Sequence, residues 1–136
     1  MLKVSITTVE RTVFSSDNVA KITLPTKEGV ITVLPNHASL VSALSMGEAI
    51  VYTDESPNYM FLDGGVVEIN DNTVHILATA AEQAEELDEA RIEEARRRAE
   101  KILEENPVDV DLAKVETSLQ RELMKQKLVR KWQQYK

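Results

Sequence analysis

Along roughly the first eighty residues the apolar positions recur at a period near two; beyond Glu85 the period lengthens to about 3.6. This pattern predicts a β-rich body followed by a helical arm. Leu2, Val4 and Ile6 alternate with Lys3, Ser5 and Thr7 as a half-buried strand does. Ser15-Ser16-Asp17-Asn18 predicts a turn, and Val19 to Leu24 a second strand ended by Pro25. The run from Gly29 to Leu34 stops at Pro35, and a loop carrying Asn36 and His37 follows. Leu40 to Leu44 and Glu48 to Tyr52 read as strands around a turn at Met46-Gly47. Tyr59 to Leu62 runs into Gly64-Gly65, after which Val66 to Ile69, Asn70-Asp71-Asn72 and Val74 to Leu77 form a hairpin pattern. Short strands with turn signals at this density indicate a sandwich or a barrel.

In the arm, Asp88 is placed to cap a helix, its carboxylate accepting from free N–H groups at the positive end of the helix dipole. Ile92, Ala95, Ala99 and Ile102 make a narrow, alanine-rich stripe, while Glu93, Glu94, Arg96, Arg97, Arg98 and Glu100 cover much of the remaining surface. Glu104-Glu105-Asn106-Pro107-Val108 ends this helix. Asp109 and Asp111 are candidate caps for a second, with Leu112, Val115, Leu119 and Leu123 as its stripe. Two helices joined so briefly should form an antiparallel hairpin. Six sizeable apolar side chains offer little burial against the entropy of ordering the arm, so the arm must dock to hold one shape.

Composition narrows the chemistry. A chain of 136 residues, 43% hydrophobic, suits one ordinary domain or a small body with an appendage. No apolar run reaches the roughly 18 to 20 residues of a membrane span, and the start, Met-Leu-Lys-Val-Ser-Ile, alternates like a strand, not like a signal peptide. The absence of cysteine removes disulfides, thiol nucleophiles and thiolate metal sites. A net charge of -7 argues against nucleic acid as a partner. The charge is uneven, because Arg121, Lys125, Lys127, Arg130, Lys131 and Lys136 gather at the end of an otherwise acidic chain. Such a tail either solvates a helix or seeks an acidic surface. An enzyme reading finds no phosphate loop, nucleophile motif or metal spacing, and His75, between Val74 and Ile76, reads as structural. Asp88 and Arg91 share a helix face, where they read either as a cap with a surface ion pair or, joined by Arg121 and Lys125 across the hairpin, as a site for a polyphosphate.

Three stretches carry a family resemblance. Gly29-Val30-Ile31-Thr32-Val33-Leu34-Pro35-Asn36-His37-Ala38-Ser39-Leu40 is similar to the Gly-x-x-Gly-x-Leu-Pro-x-His-Ala-Pro-Leu pattern of the epsilon subunits of bacterial rotary ATP synthases, counterparts of the mitochondrial delta subunit. Gly64-Gly65-Val66-Val67-Glu68-Ile69 with Val74-His75-Ile76-Leu77-Ala78, and Leu87-Asp88-Glu89-Ala90-Arg91, resemble the same family in the same order. The resemblance implies a flattened ten-stranded β-sandwich over residues 1–84 and a regulatory two-helix hairpin over 85–136. It implies a non-catalytic, peripheral subunit on the cytoplasmic face of the plasma membrane, whose sandwich binds the gamma subunit and the c ring in the central stalk. On this basis Val30, Asn36 and His37 face the c ring and gamma. The helices would reach the catalytic alpha and beta subunits and hinder ATP hydrolysis, with Arg121, Lys125, Arg130 and Lys131 in the inhibitory tail. No cofactor is required, but the resemblance implies ATP as a regulatory ligand at Leu87, Asp88 and Arg91 with Arg121 and Lys125. Ile92 stands where that nucleotide motif has alanine, and Thr32, Ser39 and Val30 depart from the family's second glycine, proline and often acidic residue. The alternative is a stand-alone protein whose hairpin senses ATP.

Overall fold

The computed structural model describes residues 1–134. Eight strands come first: β1 (Leu2–Thr7), β2 (Thr12–Val19), β3 (Lys21–Thr26), β4 (Gly29–Val33), β5 (Leu40–Tyr52), β6 (Pro57–Asn70), β7 (Thr73–Ala78) and β8 (Ala81–Gln83). A single 3-10 turn, Ala84–Glu86, precedes α1 (Glu89–Glu105) and α2 (Leu112–Gln134). The chain divides into two compact units between Gln83 and Ala84, one residue from the expected boundary.

In the first unit the strands follow the order β2-β1-β7-β6-β5-β3-β4, with β8 paired to β6. Every pairing is antiparallel except β1 with β7. The first halves of β5 and the last of β6 pair with one another beside β7, and the remaining halves pair beside β3. The two strands therefore run through both layers of a sandwich. Alternation sends one set of side chains inward: Leu2, Val4 and Ile6 of β1, Ile22 and Leu24 of β3, and Val74 and Ile76 of β7 are at most 1% exposed and share one core.

Several expected turns are strand instead. Ser15 to Asn18 lie inside β2, and the chain bends at Ala20 to pass from β2, beside β1, to β3, beside β5. Pro25 is within β3, where the pairing with β5 shifts register between Thr23 and Thr26, so the missing proline N–H interrupts no regular ladder bond there. Met46-Gly47 and Gly64-Gly65 sit inside β5 and β6. The sandwich thus has eight continuous strands in place of ten; halving the two long strands recovers the larger count. Gly65 has φ 120°, and a Cβ there would collide with the carbonyl oxygen of Leu77, which is why glycine occupies the point where β6 meets β7. The hairpin joining those strands turns on two residues, Asp71 and Asn72 at φ 50° and 59°, while Asn70, expected in the turn, pairs with Thr73 as the last residue of β6.

In the second unit, Asp88 caps α1 by accepting from the N–H groups of Ala90 at 3.0 Å and Arg91 at 3.3 Å. Asn106, left-handed at φ 47°, closes it by donating to Ile102 O at 3.0 Å. Asp111 starts α2 through the N–H groups of Ala113 and Lys114. The helices pack antiparallel: Glu89 accepts from Gln133 and Glu93 from Gln126. Ile92, Ala99, Leu128 and Val129 are buried, and Ala95, Ile102, Leu112, Val115 and Leu119 half-buried. Leu123, expected in the stripe, is 44% exposed. The half-buried face of α2 continues instead through Glu122 and Gln126, which lie about 60° and 20° to one side of Leu119 around the helix axis, whereas Leu123 lies about 40° to the other.

Candidate functional site

The hairpin's predicted site is spread along its axis. Leu87 is half-buried just before α1, Asp88 is committed to its cap, and Arg91 is exposed in the first turn. Arg121 and Lys125 are half-buried on α2. The register set by Glu89–Gln133 and Glu93–Gln126 brings Arg91 level with the stretch from Leu128 to Lys131. Arg130 and Lys131 are therefore closer to it along the axis than Lys125 is, and Arg121 lies two turns or more away, roughly 11 Å. The structure does not gather all four polar residues of that reading at one level. Ile92 is only 4% exposed and comes level with Leu128, so it serves the packing between the helices. Lys136, the last of the basic tail, lies outside the described residues.

A cluster that periodicity did not single out sits at the middle of this hairpin. Glu93 accepts from Arg96 and Arg97 on its own helix and from Gln126 Nε2 of α2 at 2.9 Å. The Arg96 guanidinium, foremost, holds the Glu93 carboxyl at about 2, below the ordinary 4.5, with partial desolvation opposing and Gln126 and Arg97 assisting. Arg96 is raised in turn, chiefly by its hydrogen bond to Glu93, and also pairs with Glu100 at 2.6 Å. The signal was legible only as i,i+3 and i,i+4 spacing; that Gln126 would meet it depends on the register of two helices.

On the first unit, Val30 is 73% exposed near the start of β4, whereas Asn36 and His37 lie in the loop after its end. Three residue steps along the strand, roughly 10 Å, take Val30 to Val33, so the structure does not join Val30 and His37 in one patch through β4. His37 Nδ1 is 2.6 Å from the carbonyl oxygen of Ala38, and its N–H donates to Leu34 O at 3.2 Å. Asn36, left-handed at φ 68°, donates its N–H to Asn72 Oδ1 at 2.6 Å. Leu34, between β4 and this loop, is 54% exposed. His75 is tied by its Nδ1 to the hydroxyl of Ser5 at 2.8 Å, across the parallel β1–β7 pair. Among the described residues no helix is long and apolar enough to cross a membrane, and no three His, Asp or Glu side chains converge as a metal site.

Residues 1–84 match the family model described as ATP synthase, Delta/Epsilon chain, beta-sandwich domain. The ATP synthase epsilon chain of Pelotomaculum thermopropionicum is 45% identical over 101 residues, which cover 74% of this chain and 75% of that one. That of Dehalococcoides mccartyi (strain CBDB1) is 38% identical over 131 residues, 96% of this chain and 93% of the relative. Among solved structures, a chain of the Euglena gracilis mitochondrial ATP synthase (OSCP/F1/c-ring, rotational state 1) is similar in fold, with TM-score 0.76, 24% identity, and coverage of 89% of this chain and 76% of that one. A chain of the Tetrahymena thermophila mitochondrial ATP synthase central stalk and c ring gives TM-score 0.57 at 18% identity, covering 96% and 94%. The sandwich match over the first unit and the identity maintained through the helices together mean that this chain belongs to the family of ATP synthase epsilon chains, non-catalytic subunits of that complex.

Proposed function

We propose that this chain is a rotor subunit of a proton-translocating ATP synthase, set in the central stalk between gamma and the c ring on the cytoplasmic face of the membrane, and that its hairpin restrains ATP hydrolysis. The sandwich carries the attachment, with Val30 and the Asn36–His37 loop as two separate contacts for gamma and the ring. The hairpin carries the restraint, extending toward the alpha and beta subunits with Arg121, Lys125, Arg130 and Lys131 on their acidic surface.

One observation carries the regulatory part: the interface between α1 and α2 is held partly by polar side chains, while Leu123 and Met124 are 44% and 40% exposed. A helix pair joined through Glu93–Gln126 and Glu89–Gln133 separates at little cost, because each group regains water when the pair opens. The two exposed apolar residues then favour a partner. The test is ATP hydrolysis by the reconstituted complex with and without residues 85–136. Hydrolysis should rise on removal while the body stays bound, and equal rates would refute the restraint. Neutral substitution of Arg121, Lys125, Arg130 and Lys131 in the full chain should relieve it in part.

A regulatory nucleotide belongs to the same reading. ATP would meet Leu87, Asp88 and Arg91 at the start of α1, with Lys125 and Arg121 along α2. Calorimetry on the full chain at millimolar ATP tests this, and an absence of heat would remove the ligand while leaving the stalk function intact.

A further inference from the structure

The loop from Leu34 to Ser39 is braced from the side by the tip of the β6–β7 hairpin, and the brace converges on Asn72. Its Oδ1 accepts the N–H of Asn36 at 2.6 Å, and its Nδ2 donates to Asn36 Oδ1 at 3.4 Å. Only one orientation of the Asn72 amide serves both partners. Its main-chain oxygen accepts the N–H of Lys3 at 2.9 Å, which fastens the same turn to the start of β1. Two residues earlier, at the end of β6, Asn70 Oδ1 accepts from the Ser39 hydroxyl at 3.0 Å, so the far end of the loop is tied to the same hairpin.

What this brace holds is unusual backbone. Asn36 is left-handed at φ 68°, a region that side chains other than asparagine and glycine seldom enter, and an exposed loop has little packing to keep it there. Fixing Asn36 fixes the direction of its neighbours, the exposed Leu34 on one side and His37 on the other. The ring of His37 is itself oriented by the Ala38 carbonyl, which leaves Nε2 as the nitrogen without that bond. A loop braced in this way presents its contacts preformed, and a preformed contact saves the entropy of ordering when a partner docks.

We infer that Asn72 is a positioning residue: it holds Asn36 in its left-handed conformation and so presents His37 and Leu34 to the gamma–c-ring rotor without touching the rotor itself. This inference rests on the proposed rotor function.

Asn72→Gly removes the brace cleanly, because glycine accepts the φ of 59° at this turn and Asp-Gly is a favoured pair for it. Asn72→Asp keeps an acceptor for the Asn36 N–H, and His37→Ala removes a contact residue directly. The measurements on the full chain are amide hydrogen exchange at Asn36, the melting temperature of the body, and affinity for the gamma–c-ring rotor. In N72G, exchange at Asn36 should quicken and rotor affinity fall by roughly tenfold, the loss of one good hydrogen bond, at unchanged melting temperature. N72D should stay close to the parent on all three. Normal affinity in N72G beside weakened binding in H37A would overturn the positioning role and leave the loop contact standing. Normal affinity in both would overturn the loop contact, and the inference with it. A drop in body melting temperature large enough to account for the lost affinity would reduce Asn72 to a structural residue and also overturn it.

Discussion

Glu93 is the residue on which the closed hairpin's pH response depends. Its carboxyl titrates at about 2 in the folded chain against 4.5 ordinarily, so the folded form binds the proton less well than the unfolded form does. The stabilisation is complete above about pH 4.5 and fades as pH falls toward 2. Helical circular dichroism of the parent should weaken across that window, and Glu93→Gln should show a shallower dependence there. At Gly65 the constraint is steric, since any side chain meets the backbone of Leu77 and Ala78. Gly65→Ala should lower stability by about 2 kcal/mol or more, read by denaturant unfolding of the body. Neither residue's role was fully visible beforehand. Gly64-Gly65 reads in the sequence only as the end of the run from Tyr59 to Leu62, not as the close approach of β6 to β7, and Glu93 as one of many surface acids.

Among the elements, the helices announced themselves most clearly. Asp88 and Asp111 are caps as their positions predict, and Asn106-Pro107 ends α1. Replacing Asp88 by alanine should cost about 1 kcal/mol of hairpin stability, measurable as faster exchange of the first-turn amides of α1. The strands were legible where one face is wet, as in β1 and β7, because alternation survives there. They were misread where polar or glycine residues lie inside a strand. Ser15 to Asn18 carry turn chemistry but sit in β2, and Met46-Gly47 stay paired to β6 within β5 although the β3–β5 ladder passes them by. Local propensity yields to pairing with neighbours on both sides, which no single stretch of sequence contains. The same limit hid Leu123: four apolar residues at helical spacing gave α2 a stripe, but it is Gln126, on the other side of Leu119, that meets Glu93 of α1.

For the whole molecule, the division after Gln83 separates a body with one continuous core from a unit held by few large side chains. Unfolding should accordingly be non-coincident: helical signal should be lost at lower denaturant than the amide protection of the body's strands, and superimposable curves would argue for a single cooperative unit. The family was readable from three short stretches because each encodes a backbone requirement, a left-handed loop, a crowded glycine and a helix cap. The spread of Arg91 and Arg121 along the hairpin axis was not readable, since it depends on which residues of two helices come level. The parallel β1–β7 pair has a different bearing, on how the protein is made. Ser5 faces His75 across it, 70 positions later in the chain. As the polypeptide leaves the ribosome, its first strand waits through most of the body's synthesis for that neighbour. Assembly of the sandwich is therefore a late event in translation, and nascent chains stalled before residue 78 has emerged should remain open to protease.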